Sequence, residues 1–186
     1  KDFILELGET LDPAENENAV KIWIAKDASI APTASINGHA SSERRGDPPV
    51  CFYPRKCHRR RGAVVGNSTE LKNVILFNKV QVPHYNYVGD SVLGYKAHMV
   101  PVPLLPMKAD KKLVVVKSAD EQIETGLKKF GAMLGDEVEV GCNSVLNPGT
   151  VVGRNSNIYP LSCVRGVIPS GHIFKNAKEI VKKSDN

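Results

Sequence analysis

Residues 134–153 read L-G-D-E-V-E-V-G-C-N-S-V-L-N-P-G-T-V-V-G. Aliphatic side chains stand six apart at Leu134, Val140, Leu146 and Val152, and the rhythm continues through Ile158 and Val164. The residue after each is often small or turn-compatible, as at Gly135, Gly141, Asn147 and Gly153. A helix would repeat its apolar face near every 3.6 residues and a half-buried strand every second residue. A period of six fits neither. Held over six units, it predicts a solenoid in which each unit stacks on the one before. The aliphatic side chain points into the core, and the small residue lets the chain turn.

The same rhythm runs upstream through Ile24, Ile30 and Ile36, then Val65 and Leu71, then Leu76, Val82 and Val88, then Leu93 and Met99. Ala28 and Ala34 are the small residues of the earliest repeats. The steps of five from 71 to 76 and from 88 to 93 read as one-residue deletions at corners. A β-sandwich of short strands would need an alternation that is missing. The pattern resembles the hexapeptide repeat, which implies an all-β, single-stranded left-handed parallel β-helix. The predicted organisation is an N-terminal arm or short helix over 1–20, the β-helix over 21–173, and a helix or tail over 174–186. Ala177, Ile180 and Val181 suggest a capping helix from Phe174 to Lys183, because an open end coil exposes apolar surface and a sheet edge. Residues 108–132 interrupt the rhythm and read as an excursion. Within them Leu113–Val116 reads as a strand and Glu121–Phe130 as a loop or helical turn. Such excursions from a regular scaffold are usually functional.

The 186 residues fit one domain, and no apolar run long enough for a membrane span is present. Four cysteines (51, 57, 142 and 163) make no disulfide pattern, which suggests a reducing cytoplasm. The net charge of +5 is local. Residues 40–61 hold seven of the 25 Lys and Arg but only Glu43 and Asp47 among the 20 acidic residues, so the rest of the chain is balanced. The excess is therefore not spread over a nucleic-acid-binding face. The Arg-rich run mimics an RNA patch. Cys51, Cys57 and His58 mimic part of a zinc site, but their spacing matches no standard ligand set. No metal, nucleic acid or membrane partner is expected.

That basic segment is also where the repeat fails, as it fails again at V-P-V-P-L-L-P-M, residues 100–107. Both failures have the form that a shifted reading frame would leave. Phe52–Arg59 can be encoded TTT TAT CCG CGG AAA TGC CAT CGT, which reads F-I-R-G-N-A-I-V one base along. Ala40–Arg45 can be encoded GCA TCA TCG GAG AGG AGG, which reads I-I-G-E-E two bases along. Val100–Met107 can be encoded GTG CCG GTT CCA TTA CTT CCA ATG, which with a preceding G reads G-A-G-S-I-T-S-N. Each shifted reading restores the repeat. For the chain as written, the expectation is irregular structure over 40–61 and 100–110, since proline cannot complete a strand ladder.

The run from Gly66 to Met99 carries the most chemistry. It contains Gly66, Asn67, Glu70 and Lys72, followed by His84, Tyr87, Gly89 and Asp90. This G-N-x-x-E-x-K…H-x-x-Y-x-G-D pattern resembles the acetyltransferase domain of the bifunctional enzymes that make UDP-N-acetylglucosamine. Residues 62–175 also resemble short bacterial proteins labelled UDP-N-acetylglucosamine pyrophosphorylases. Nucleotidyl transfer belongs to a separate α/β domain for which this sequence has no Gly-rich nucleotide loop, so that activity is not expected of this chain. The resemblance implies acetyl transfer from acetyl-CoA to an amino-sugar phosphate such as glucosamine-1-phosphate. His84 would be the general base, as imidazole suits proton transfer near neutral pH. Lys72 would hold the sugar phosphate, Tyr87 would hydrogen-bond sugar or donor carbonyl, and Glu70 and His98 would complete the substrate site.

Some residues depart from the relatives' pattern. His98 stands where they have Asn, Cys142 where a Ser meets the donor thioester, and Pro160 where an Ala lines the pantetheine path. Cys142 and Pro160 are the cofactor-side candidates, and Pro160 supplies no N–H there. These losses leave a second reading open, a non-catalytic sugar-nucleotide-binding or regulatory solenoid. A carbonic anhydrase on this fold would need three zinc-binding His, two of them five apart, which the sequence lacks. The resemblance also implies a homotrimer, with grooves between neighbouring prisms.

Overall fold

A computed structural model describes residues 61–100 and 113–184 in full. It also describes the backbone of five strands: Phe3–Leu5, Ile22–Ile24, Ser35–Ile36, Ala40–Ser42 and Cys51–Arg59. The architecture is a parallel β-solenoid, and no helix occurs among the described residues. Short strands of successive coils pair in parallel. Ile75 stands beside Val92, Met133 beside Val151, and Val151 beside Val167.

Three interior columns follow from that register. One holds Leu76, Leu93, Leu134, Val152 and Ile168. A second includes Met99, Val140, Ile158 and Phe174, with Val65 beside Val82 at its start. The third includes Leu71 beside Val88 and Leu146 beside Val164. All of these side chains are buried, so the six-residue rhythm marks the core. Full burial of an aliphatic side chain stabilises by about 1.5–3 kcal/mol.

The coil turns at three corners, each with a residue of positive φ. Ser68, Tyr85, Asn143 and Leu161 mark the first corner. Asn73, Asp90, Gly149 and Gly166 mark the second, and Gly62, Lys79, Lys96, Glu137, Asn155 and Gly171 the third. A left-handed conformation costs an L-residue roughly 1–2 kcal/mol. Gly, Asn and Asp carry much of that burden with least strain.

Upstream, the sequence expectation of irregular structure over 40–61 meets ladder-forming backbone. Cys51–Arg59 is a nine-residue strand paired with Ala40–Ser42, Ser35–Ile36 and Thr69–Leu76. Its register with Thr69–Leu76 shifts between Phe52 and Arg55, where it carries an additional residue. Beyond the shift, Cys57, His58 and Arg59 align with Val74, Ile75 and Leu76. Arg59 thus takes a register position between Ser42 and the interior Leu76. The shifted frame would supply Ala, Ile and Val at these three positions, the alternation of the next coil. Residues 43–50 and 101–112 lie outside the described residues, and with them most of the second predicted irregular segment.

Two local readings are corrected. The segment predicted as a capping helix is an antiparallel hairpin of His172–Asn176 and Glu179–Lys182. Its first strand continues the coil ladder beside Asn157–Ile158 and inserts Phe174, 3% exposed, into the core. Backbone pairing with the last coil thereby replaces helix formation. Glu121–Phe130, read as a loop or helical turn, contributes the strand Gln122–Glu124, which pairs with Val115–Lys117. Val114 and Val116 are buried, and the Val115 carbonyl lies against Gly149. Packing along the corner therefore holds the excursion flat. Phe3–Leu5 is a strand antiparallel to Ile22–Ile24, and the remainder of 1–20 is outside the described residues.

Candidate active site

Glu70 and Lys72 lie on the strand Thr69–Leu76, and Tyr87 on Tyr87–Gly89 of the next coil. Glu70 is in register with Tyr87 and Lys72 with Gly89. The four positions therefore form a block on one prism face, with strands about 4.8 Å apart. The strand alternation sends Leu71 and Val88 inward and leaves Glu70, Lys72 and Tyr87 partly exposed.

Glycine at 89 leaves room for the Tyr87 ring, since a Cβ there would lie 2.8 Å from Tyr87 Cε1 and 2.9 Å from its hydroxyl. The ring lies on the Gly89 backbone, directly across from Lys72. Gly66 is constrained more strictly, since a Cβ there would run into the backbone carbonyl of Pro83 in the next coil. Asp90 turns the second corner, donating its N–H to the Lys72 carbonyl at 2.8 Å and accepting from Asn73 Nδ2 at 2.9 Å. Partial burial holds the Tyr87 hydroxyl above its ordinary pKa, and the negative charges of Glu70 and Asp90 add to the shift. The phenol therefore remains a hydrogen-bond donor at neutral pH.

His84 ends the strand Gln81–His84 on the adjoining face, so the first corner separates it from Tyr87. Its side chain is exposed. Asn86, 3% exposed, donates Nδ2 to the His84 carbonyl at 2.6 Å and ties the two sides of the corner together. The His84 ring meets the Tyr85 ring edge-on, with centroids 6.1 Å apart and planes at 77°.

The cofactor-side candidates share the column of His84. His84 is in register with Asn67. Tyr85 N–H donates to the Asn67 carbonyl, and Leu161 N–H donates to the Cys142 carbonyl in the equivalent way, both at 2.9 Å. Asn67, His84, Cys142 and Pro160 each precede the positive-φ residue of the first corner. Cys142 is exposed and unpaired. Pro160 is also exposed and covers Gly141, whose Cβ would lie 2.6 Å from the proline nitrogen. From His84 to Pro160 the column rises three coils, about 14 Å.

His98 does not join this group. It pairs with Gln81 and Glu139, and Gln81 is three residues, about 10 Å, back along the strand from His84. Among the described residues no cluster of metal-ligating side chains forms. No helix there is long and apolar enough to cross a membrane. Sequence reasoning missed Asn86, Tyr85 and Asn73. Only Asn86 carried a signal, as a polar residue two places before the inward Val88 within the H-x-x-Y run.

No protein-family model matches the chain. A bifunctional sugar-1-phosphate nucleotidylyltransferase/acetyltransferase of Sulfurisphaera tokodaii is 32% identical over 112 residues, 60% of this chain and 28% of that protein. The bifunctional protein GlmU of Methanococcus maripaludis strain C5 is 35% identical over 124 residues, 66% of this chain and 30% of that one. The chain thus spans under a third of the length of these curated relatives. A crystal structure of a Bacillus cereus protein, assigned provisionally as an acetyltransferase, superposes with a TM-score of 0.51 at 11% identity. That match covers 88% of this chain and 78% of the other and shows the shared fold. The repeat, the stacked coils and the sequence relatives agree: the chain is a hexapeptide-repeat parallel β-helix, similar in sequence over about two thirds of its length to bifunctional GlmU proteins.

Proposed function

We propose that the chain transfers an acetyl group from acetyl-CoA to the amine of an amino-sugar phosphate of the glucosamine-1-phosphate type. The carrying observation is the block in which Glu70 and Lys72 register with Tyr87 and Gly89, one corner away from His84. Lys72 faces the phosphate dianion. The Tyr87 hydroxyl donates to the sugar or to the thioester carbonyl. The amine nitrogen attacks that carbonyl carbon, the C–N bond forms and the C–S bond breaks. His84 accepts the proton lost by nitrogen, and the thiolate leaves and is protonated. The donor arm runs up the column from His84 past Cys142 towards Pro160.

A homotrimer is part of this proposal. The residues facing outward between interior Leu76, Leu93, Leu134, Val152 and Ile168 are Ile75, Val92, Met133, Val151 and Val167. They form an aliphatic stripe along one face, whereas the ladder Gln81, His98, Glu139 and Asn157 on another face is mostly polar. Such a stripe suits burial against a second copy. Sedimentation should give a trimer for the parent and a smaller species for Val92→Glu with Val151→Glu. A parent that sediments as a monomer contradicts this part. The cytoplasm is the proposed compartment, consistent with the unpaired cysteines.

Pro160 supports the second reading, a sugar-nucleotide-binding solenoid without catalysis, because its nitrogen offers no N–H to a donor. Thiol release from acetyl-CoA with glucosamine-1-phosphate separates the two. Turnover that His84→Ala abolishes supports transfer, and acceptor binding without turnover supports the binding solenoid.

A further inference from the structure

We infer that Tyr85 is an acceptor-specificity residue whose aromatic ring packs on the apolar face of the amino-sugar ring; this rests on the acyl-transfer reading above. Three observations lead there. First, Tyr85 adopts φ 51° at the first corner, where the equivalent positions hold Ser68, Asn143 and Leu161, none of them aromatic. A bulky aromatic is poorly suited to that conformation, and short polar residues adopt it with less strain. The fold therefore gives no reason for tyrosine here. Second, the side chain is 65% exposed, so the core does not account for it either. Third, its ring sits edge-on to His84, and in the chain it lies between His84 on one face and, on the next, Tyr87, whose ring leans over Gly89 across from Lys72.

A ligand with its phosphate at Lys72 and its amine at His84 must cross this corner. In glucosamine-1-phosphate the two groups stand on adjacent carbons, so the part that crosses is the C1–C2 edge of the sugar ring. Pyranose rings present C–H groups on one face, and an aromatic surface is complementary to them. A nucleobase attached beyond the phosphate would lie past Lys72, away from the corner.

The test compares the parent with Tyr85→Phe and Tyr85→Asn. Asparagine suits the left-handed corner, so the second variant should fold at least as stably as the parent. Saturation-transfer NMR with glucosamine-1-phosphate and steady-state kinetics are both measured. The expected result is a roughly tenfold rise in Kd and KM for Tyr85→Asn with kcat within threefold, an unchanged oligomeric mass, and near-parent values for Tyr85→Phe. Equal affinity in parent and Tyr85→Asn overturns the role of Tyr85 alone. A change in oligomeric mass without loss of affinity also overturns it and makes the ring an interface contact. A parent that neither binds nor acetylates the amino-sugar phosphate overturns the underlying reading and this inference with it.

Discussion

The ring of Tyr87 rests on the backbone of Gly89, with hydroxyl and Cε1 both within 3 Å of where a Cβ would stand. The contact fixes the phenol across from Lys72. The atoms that an alanine would strike belong to the far end of a side chain, which can swing away. Gly89→Ala should therefore cost little stability, about 1 kcal/mol or less, while displacing the hydroxyl. We expect its loss of acetyl transfer to match that of Tyr87→Phe, with no additive effect in the double variant. Denaturant unfolding and steady-state kinetics on the three variants check this.

The raised pKa of Tyr87 has a consequence in alkali. Its phenol holds its proton more tightly in the folded chain than in the unfolded one. Folded stability from this group is therefore complete below the unfolded value of 10.0 and is lost as pH rises towards the raised folded value. Tyr87→Phe should lessen the fall in unfolding free energy above pH 10, seen as a shallower slope of urea midpoint against pH. An identical slope in both proteins would contradict the assignment.

The strand Cys51–Arg59 yields a prediction about stability. Replacing Phe52–Arg59 by F-I-R-G-N-A-I-V places Ala, Ile and Val in register with Val74, Ile75 and Leu76. Removing a charge from the register position beside Leu76 and adding an aliphatic side chain should raise stability by about 2 kcal/mol or more. Urea unfolding of the two chains measures it, and a lower midpoint for the replaced chain would count against a shifted frame. Sequencing the coding DNA gives an independent answer, since codons that cannot yield these peptides one base along exclude it.

The periodicity of the aliphatics made the core legible, because solenoid coils place every interior residue by simple repetition. Leu134, Val140, Leu146, Val152, Ile158 and Val164 are all buried as their spacing implies. The ends were harder to read. Glu179–Lys182 reads as well for a helical face as for a strand, and pairing with the preceding coil decides it. The block of Glu70, Lys72 and Tyr87 was legible through its motif, but the reason for its spacing was not. A single coil separates Glu70 from Tyr87, a relationship visible only once the deleted corner residue is counted. The sign of Asn86 was its inward spacing from Val88; its partner, the His84 carbonyl, is a backbone acceptor that leaves no mark in a sequence. His98 shows the converse. It stands where the relatives have Asn in the family pattern, and its strand position sets it apart from His84.

Mass analysis of the product from deuterated acetyl-CoA and glucosamine-1-phosphate tests the central claim most directly. The account predicts a deuteroacetyl group on the sugar amine, formed at least a hundredfold more slowly by His84→Ala, as loss of a general base should give. No labelled sugar from the folded parent, or the same rate in His84→Ala, would contradict it.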